Sequence, residues 1–277
     1  MKIIGAIFCG DELPLIKYVM PYIINFGFDK LYIYSNSTDG SSEAIEKYNL
    51  DFIEIRRFET FSDYFKAETY INLFFELKKE SIETNEEIWF YKSDFDEVVF
   101  TPQESSLKSV INGFDFYKEC NYYANKMTNL VYKPSSQIGL SSAMEIEKTE
   151  FCHALSYIYG FSWPYYGTKV TFFRVNDFKI TNCFFSAGEH ILSLQLEDGK
   201  TEKNLADIGL YYSFHLKYLT EEIFLERSKK WDKTVDVSKS AYRKTTSCIF
   251  PLSHLFYSNY EKYGYRLGDI GGITTFK

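Results

Sequence analysis

The chain reads as an α/β protein: a mostly parallel central sheet with helices on both faces and a smaller C-terminal region. Three observations lead there. Residues 2–9 form an unbroken apolar run of strand length, the pattern of a parallel strand covered on both sides. Strand-like runs then alternate with amphipathic stretches through about residue 100, the rhythm of β-α-β units joined by right-handed crossovers. Last, the aromatic run Ile88-Trp89-Phe90-Tyr91 leads without a turn signal into Asp94, Asp96 and Glu97. Carboxylates packed this closely repel one another unless a cation lies between them, so this strand end is a candidate site.

After the first strand, Leu13, Ile16, Val19, Met20, Ile23 and Ile24 recur at helical spacing. Pro14 suits a first turn, Pro21 should kink or shorten the helix, and Gly27 fits the position just past its end. A second strand is expected over 31–34, a short helix over 42–48 and a third strand over 52–56. A strong amphipathic helix follows over 66–79, with Ala67, Tyr70, Ile71, Phe74 and Leu77 on one face. Beyond Glu97 the spacing predicts strands over 114–119 and 170–175 and a helix over 220–231. Residues 121–163, rich in Ser and Tyr, suit an irregular region over a binding face.

Composition narrows the class. With 277 residues the chain can bury a substantial core, and no repeat or low-complexity linker interrupts it. A net charge of −7 argues against nucleic acid as partner. Aromatic residues reach 19%, a supply of rings that can stack on sugars. Five scattered cysteines without a CxxC pair fit a reducing compartment. No signal peptide opens the chain and no apolar run reaches the ~18 residues of a membrane span, so a cytoplasmic location is expected. Residues 226–244 carry seven basic against three acidic side chains, with Trp231 and Tyr242 among them. That patch is either a solvated helix face or a peripheral contact with the inner face of a membrane.

Three polar segments sit at strand ends: Gly10-Asp11-Glu12, the turn Ser35 to Ser41, and Asp94-Phe95-Asp96-Glu97. In a parallel sheet all three gather at one edge, where open α/β sheets bind ligands. Asp94 and Asp96, two apart, would share a face if the strand continued, which makes half of a site for a hard divalent cation.

Together these residues resemble the glycosyltransferases of the GT-A fold, closest to the family 2-like group acting on nucleotide-sugars. The matching positions are Asp11-Glu12, Gly27-Phe28-Asp29, Ser37 with Asp39-Gly40-Ser41, and Trp89 with Asp94, Asp96 and Glu97. They continue with Gly167-Thr168-Lys169 and Arg174, Gly188-Glu189-His190, and Phe214-His215. The resemblance covers residues 2–231 and is densest in the first hundred. Ser35 or its neighbour Tyr34 stands where that group has Asp or Asn, and Cys9-Gly10-Asp11 replaces its Lys-Asn pair.

The resemblance implies a GT-A domain over 1–231, with a nucleotide-binding half (1–100) and an acceptor-side half (101–231). Residues 232–277 would be an extension packed on the domain or touching membrane. It implies Mn²⁺ or Mg²⁺ held by Asp94, Asp96 and His190, with His215 as second choice. Cys9, Asp11, Glu12, Asp39, Lys66, Asp94 and Lys169 would contact the nucleotide-sugar. The expected reaction moves a sugar from a UDP-linked donor to a saccharide or lipid-linked saccharide, with inversion, in surface polysaccharide or glycan synthesis. Inverting transfer needs a carboxylate to deprotonate the acceptor; Glu145, Glu147, Glu150 and Glu189 are the candidates. A non-catalytic saccharide- or nucleotide-sugar-binding module and a sugar-phosphate nucleotidyltransferase are the alternatives. The acidic Asp11-Glu12 stands where the nucleotidyltransferase would need a basic Gly-rich loop.

Overall fold

The computed structural model describes residues 1–99, 106, 108, 122–132, 150–153, 168–175, 180–185, 192–204, 212–218 and 264–266. The chain divides into two compact units, one of residues 1–127 and 163–213, the other of 128–162 and 214–277.

The first unit is built around four parallel strands. β1 (Lys2–Cys9) pairs with β2 (Lys30–Ser35) on one side and with β4 (Ile88–Asp94) on the other; β3 (Ile53–Arg57) adds beyond β2. The order β3-β2-β1-β4 is that of a Rossmann-like sheet, as the sequence predicts. Beside β4 runs antiparallel β8 (Thr168–Arg174), which in turn pairs with residues 122–126 of β6 (Tyr122–Tyr132). A separate antiparallel sheet joins β9 (Ile180–Phe185), β10 (Leu192–Leu196) and β11 (Thr201–Asn204).

Helices cover both faces of the parallel strands. α3 (Asp63–Thr84) lays Tyr70, Leu73, Phe74 and Leu77 on Ile4, Ala6, Phe8, Ile88 and Phe90, the even-numbered side of the sheet. α3 is longer than the expected 66–79, and Leu73 rather than Ala67 completes its buried stripe. Its first turn is closed by Ser62, whose Oγ accepts from the Phe65 amide at 3.0 Å. The opposite face belongs to α1 (Ile16–Phe26), whose last ring stacks on Phe28 and tilts against Tyr91. Gly5 lies on this side, and a Cβ there would come within 2.8 Å of the Phe28 ring and 2.6 Å of Leu31, so only glycine fits.

Pro21 neither kinks nor shortens α1 enough to end it; the helix runs on to Phe26. The bond it forfeits is to the carbonyl of Lys17, an exposed position where water can substitute. Gly27 ends the helix in the left-handed region at φ 78°, as its place in the sequence predicts. α2 (Ser41–Glu46) is one short turn shifted slightly toward the N-terminus of the expected 42–48.

In the second unit, residues 130–132 of β6 pair antiparallel with β7 (Glu150–His153), and β13 (Gly264–Arg266) pairs with β7. β12 (Tyr212–Tyr218) is the remaining strand of the C-terminal part. The expected strand over 114–119 and helix over 220–231 lie outside the described residues. Among the described residues no helix is long and apolar enough to cross a membrane.

Candidate functional site

Strand order reverses between β1 and β4, because β2 and β3 extend from the other side of β1. Ligands of open α/β sheets bind outside the carboxyl ends at such a point. Here those ends carry Gly10-Asp11-Glu12, the turn after β2 and the turn after β4. Backbone bonds tie them together: the Phe95 amide donates to Phe8 O at 2.8 Å and the Asn36 amide to Cys9 O at 3.3 Å.

The first two segments clasp each other through carboxylates. Asp11 Oδ1 accepts from the Thr38 amide at 2.7 Å and from its hydroxyl at 3.2 Å. Asp39 returns the contact: Oδ2 accepts from the Leu13 amide, and Oδ1 from the amide and hydroxyl of Ser41. The Glu12 amide donates to that same Ser41 hydroxyl at 2.9 Å. Ser35, Ser37 and Ser42 form a triangle of hydroxyls 2.8–3.1 Å apart inside the turn. The rim is therefore preorganised, with Asp11 and Asp39 orienting backbone as well as presenting charge.

β4 stops at Asp94, and Phe95-Asp96 is a turn into β5 (Glu97–Val99), so strand alternation does not carry from Asp94 to Asp96. Glu97 closes this turn: Oε2 accepts from the Asp94 amide at 3.3 Å and lies 3.4 Å from Ser93 Oγ, whose hydroxyl also donates to Glu97 O. Asp96 is buried in the turn, while the Asp94 side chain stays one-third exposed.

Cys9 records how these ends converge. Its thiol is pushed well above the ordinary range, first by burial and then by the charges of Glu12, Asp39, Asp96 and Asp11. Four carboxylates from all three segments thus act on one sulfur at the end of β1.

Positive charge meets this edge from the α3 side. The Lys66 ammonium forms an ion pair with Asp94 Oδ1 and lies 5.8 Å from the centre of the Phe8 ring. Lys92, two residues before Asp94 and fully buried, stands 5.4 Å from the Tyr70 ring. Phe8 also stacks on Tyr34 and meets Phe58, Phe61 and Phe65 edge-on, so an aromatic shelf adjoins Asp94. Lys92 was not among the expected site residues. Its signal was the alternation Ile88, Phe90, Lys92, Asp94 along one face of β4.

Asp11, Glu12, Asp39, Cys9, Lys66, Asp94 and Asp96 are thus brought to one sheet edge. Arg174 is not: it lies opposite Trp89 near the amino end of β4, with its guanidinium 5.1 Å from the indole and Nε 3.3 Å from Glu87. Backbone alone places Lys169 in β8, Glu150 in β7 and His215 in β12. Glu145, Glu147, Glu189, His190 and the basic segment 226–244 lie outside the described residues.

No family model and no curated protein matches this chain. Among solved structures it is similar to 4-diphosphocytidyl-2C-methyl-D-erythritol synthase from Anaerococcus prevotii DSM 20548. The identity is 10%, over 65% of this chain and 79% of that one, with a TM-score of 0.29. A likeness at that level says nothing of ligand or reaction; the Rossmann-like class rests on the strand order itself.

The donor set can be tested against a divalent cation. Among the described residues no group of three or more His, Cys, Asp or Glu side chains forms a protein-only cage. Mg²⁺ and similar ions are commonly held by one or two carboxylates with waters and substrate phosphates completing the shell. Asp94, one-third exposed at the end of β4, is a hard oxygen donor of the kind such a shell uses, and Asp96 is buried in the turn that follows it.

Proposed function

We propose that the chain is a metal-dependent glycosyltransferase that takes a sugar from a nucleotide-sugar, UDP-linked in the first instance, to a saccharide or lipid-linked saccharide. The observation that carries this reading is the gathering of Asp11, Asp39, Asp94 and Asp96 at the carboxyl ends of β1, β2 and β4, at the β1/β4 switch point, with the first two segments clasped through Thr38 and Leu13. A site so acidic favours a cation first, and a cation there favours a diphosphate.

Asp94 and Asp96 would hold Mn²⁺ or Mg²⁺, which when bound supplies Lewis-acid stabilisation of the departing nucleoside diphosphate. Asp39, locked by Leu13 and Ser41, shapes the nucleoside's seat, and Asp11 keeps the facing loop closed on it. The aromatic shelf around Phe8 offers ring faces to base or sugar. Inversion assigns the acceptor's proton to a carboxylate, with Glu145, Glu147, Glu150 and Glu189 as candidates and His190 or His215 as a further ligand to the ion. Residues 226–244 would bring the protein to an anionic membrane surface carrying a lipid-linked acceptor.

A thermal-shift screen of UDP-, GDP-, CMP- and TDP-sugars with and without Mn²⁺ tests this. One donor class at 100 times its Kd should stabilise the fold by ~2.7 kcal/mol, and so raise Tm, only when Mn²⁺ is present. Asp96→Ala should abolish that metal-dependent shift while circular dichroism stays native. A mutant that responds like wild type, or stabilisation by no donor class, overturns the reading. Stabilisation without product release would instead identify a binding module.

A further inference from the structure

The segment Phe58-Glu59-Thr60-Phe61-Ser62-Asp63-Tyr64-Phe65 leads from β3 into α3 and puts four aromatic rings into eight residues. Both of its ends are tied to the acidic edge. The Phe58 amide donates to Ser35 O at 3.0 Å, at the turn after β2, and the residue that follows Phe65 makes the ion pair with Asp94. Midway, Phe61 meets Phe8 edge-on at 6.2 Å, and Phe8 is the β1 residue that lies opposite Asp94 in the sheet. The segment is therefore one rim of the candidate site.

Its rings are not used alike. Phe58 and Phe65 lie 4.9 Å apart and pack on Phe8, both half-buried. Phe61 precedes the Ser62 cap, where an apolar residue anchors the entry of a helix, and it packs on Phe8 and Phe58. Even so, 46% of Phe61 stays exposed, and Tyr64, in the first turn of α3, is 78% exposed. Neither capping nor core packing accounts for Tyr64: the cap is Ser62, and the buried stripe of α3 runs through Tyr70, Leu73, Phe74 and Leu77. Exposed rings on a rigid support, at a loop beside a ligand edge, mark a contact surface. Tyr suits such a surface, because it offers a large amphipathic area with few bonds to freeze.

We infer that Phe61 and Tyr64 form the stacking platform for the acceptor, and that the part of the acceptor they hold is a neutral saccharide. This rests on the sugar-transfer reading above and names the acceptor's chemistry. A ring face takes the apolar C–H face of a pyranose, and the sugar's hydroxyls then need polar partners at its rim. The Tyr64 hydroxyl supplies one, and Glu59 and Thr60, both exposed and adjacent to Phe61 in the chain, supply others. Charge excludes an anionic occupant. Arg57, just before the segment, is paired with Glu43 and Glu46 at 3.4 and 2.8 Å, and the charged residues within it, Glu59 and Asp63, are both acidic. Phosphates of a nucleic acid or an anionic lipid would be repelled there. Openness separates acceptor from donor: a sugar in transfer has to be kept from water, whereas an acceptor chain enters from solvent.

The test is a saturation-transfer NMR titration of the full chain, in EDTA and without donor, with neutral hexasaccharides of glucose, mannose, galactose or N-acetylglucosamine. Wild type should bind at least one of them. Tyr64→Ala should weaken that binding about fivefold, while Tyr64→Trp, which keeps an aromatic face, should preserve it. Phe61→Leu, which keeps apolar packing on Phe8, should weaken it by a similar factor with a native circular dichroism spectrum. Wild type that binds none of these sugars, or binding that Tyr64→Ala leaves unchanged, overturns the platform. Loss of the Mn²⁺-dependent donor shift in Tyr64→Ala also overturns it, by placing the ring in the donor's seat. Co-sedimentation with phosphatidylglycerol vesicles that wild type shows and Tyr64→Ala lacks overturns it in favour of a membrane contact. Tyr64-dependent saccharide binding in a chain that no nucleotide-sugar stabilises leaves the platform standing and removes the transferase reading. A chain stabilised by donor and Mn²⁺ that binds no saccharide does the reverse.

Discussion

Cys183 shows what burial alone does to an ionisable side chain in this fold. It sits in the core beneath α3 with no exposed surface, and burial pushes its thiol from 9.0 to about 12. Cys9 is raised too, with four carboxylates adding to burial. In each case the folded value lies above the unfolded one, so the folded state keeps a proton that the unfolded state releases. For Cys183 the stabilisation is complete below about pH 9 and drains away as pH rises toward 12. Its thiol contributes a slope of about 1.4 kcal/mol per pH unit across that window. Cys183→Ala should therefore flatten the alkaline fall by about that amount, whatever its cavity costs at neutral pH. Urea denaturation at several values between pH 8 and 10.5 reads the slope directly, and identical slopes in mutant and wild type would refute the assignment. The same chemistry makes Cys9 a poor metal ligand or nucleophile, since both need the thiolate.

At the scale of elements, α3 carries most of what positions the site. Its N-terminus is set by Ser62, whose hydroxyl takes up the Phe65 amide one turn before Lys66 meets Asp94. Removing such a cap costs about 1 kcal/mol. Ser62→Ala should lower Tm by roughly 2–4 °C for a chain of this size, measured by calorimetry; an unchanged Tm would mean that water replaces the cap at no cost. The helix itself was legible because Tyr70, Phe74 and Leu77 recur on one face, but its true start was not. Ser62 is followed three residues later by Phe65 rather than Glu or Gln, so no capping box announces it. Lys66 was legible as a site residue, and its partner was not. The ion pair depends on the rotation of α3 over β4, which no spacing within either segment encodes. Glu97 was legible as part of the acidic strand end, but the return of its carboxylate onto the Asp94 amide was not. Strand ends, by contrast, were legible because an apolar run that stops in Asp or Glu has few ways to be buried.

For the molecule as a whole, alternation of strands and helices predicted a parallel sheet, but only pairing decides which strands are neighbours. The order β3-β2-β1-β4 is what turns three scattered acidic segments into one edge, and it separates that edge from the opposite one. At the amino end of β4, Glu87, Trp89 and Arg174 make a structural cluster, and Lys2 donates its amide to Glu87 O at 2.8 Å. A chain of net charge −7 repels an anionic donor unless a cation is already at the acidic edge, so ligand binding should be metal-dependent and confined there. Hydrogen exchange with mass-spectrometric readout distinguishes the two ends. Mn²⁺ with UDP should slow exchange severalfold in peptides spanning 9–15, 35–42 and 92–97, because the backbone amides of Leu13, Thr38, Ser41 and Asp94 already donate to carboxylates whose mobility the ligand removes. Peptides covering 84–89, at the amino edge, should exchange at the same rate with or without ligand. Protection spread evenly over both edges would mean general stabilisation rather than a site, and protection at the amino edge alone would place the ligand on the wrong side of the sheet.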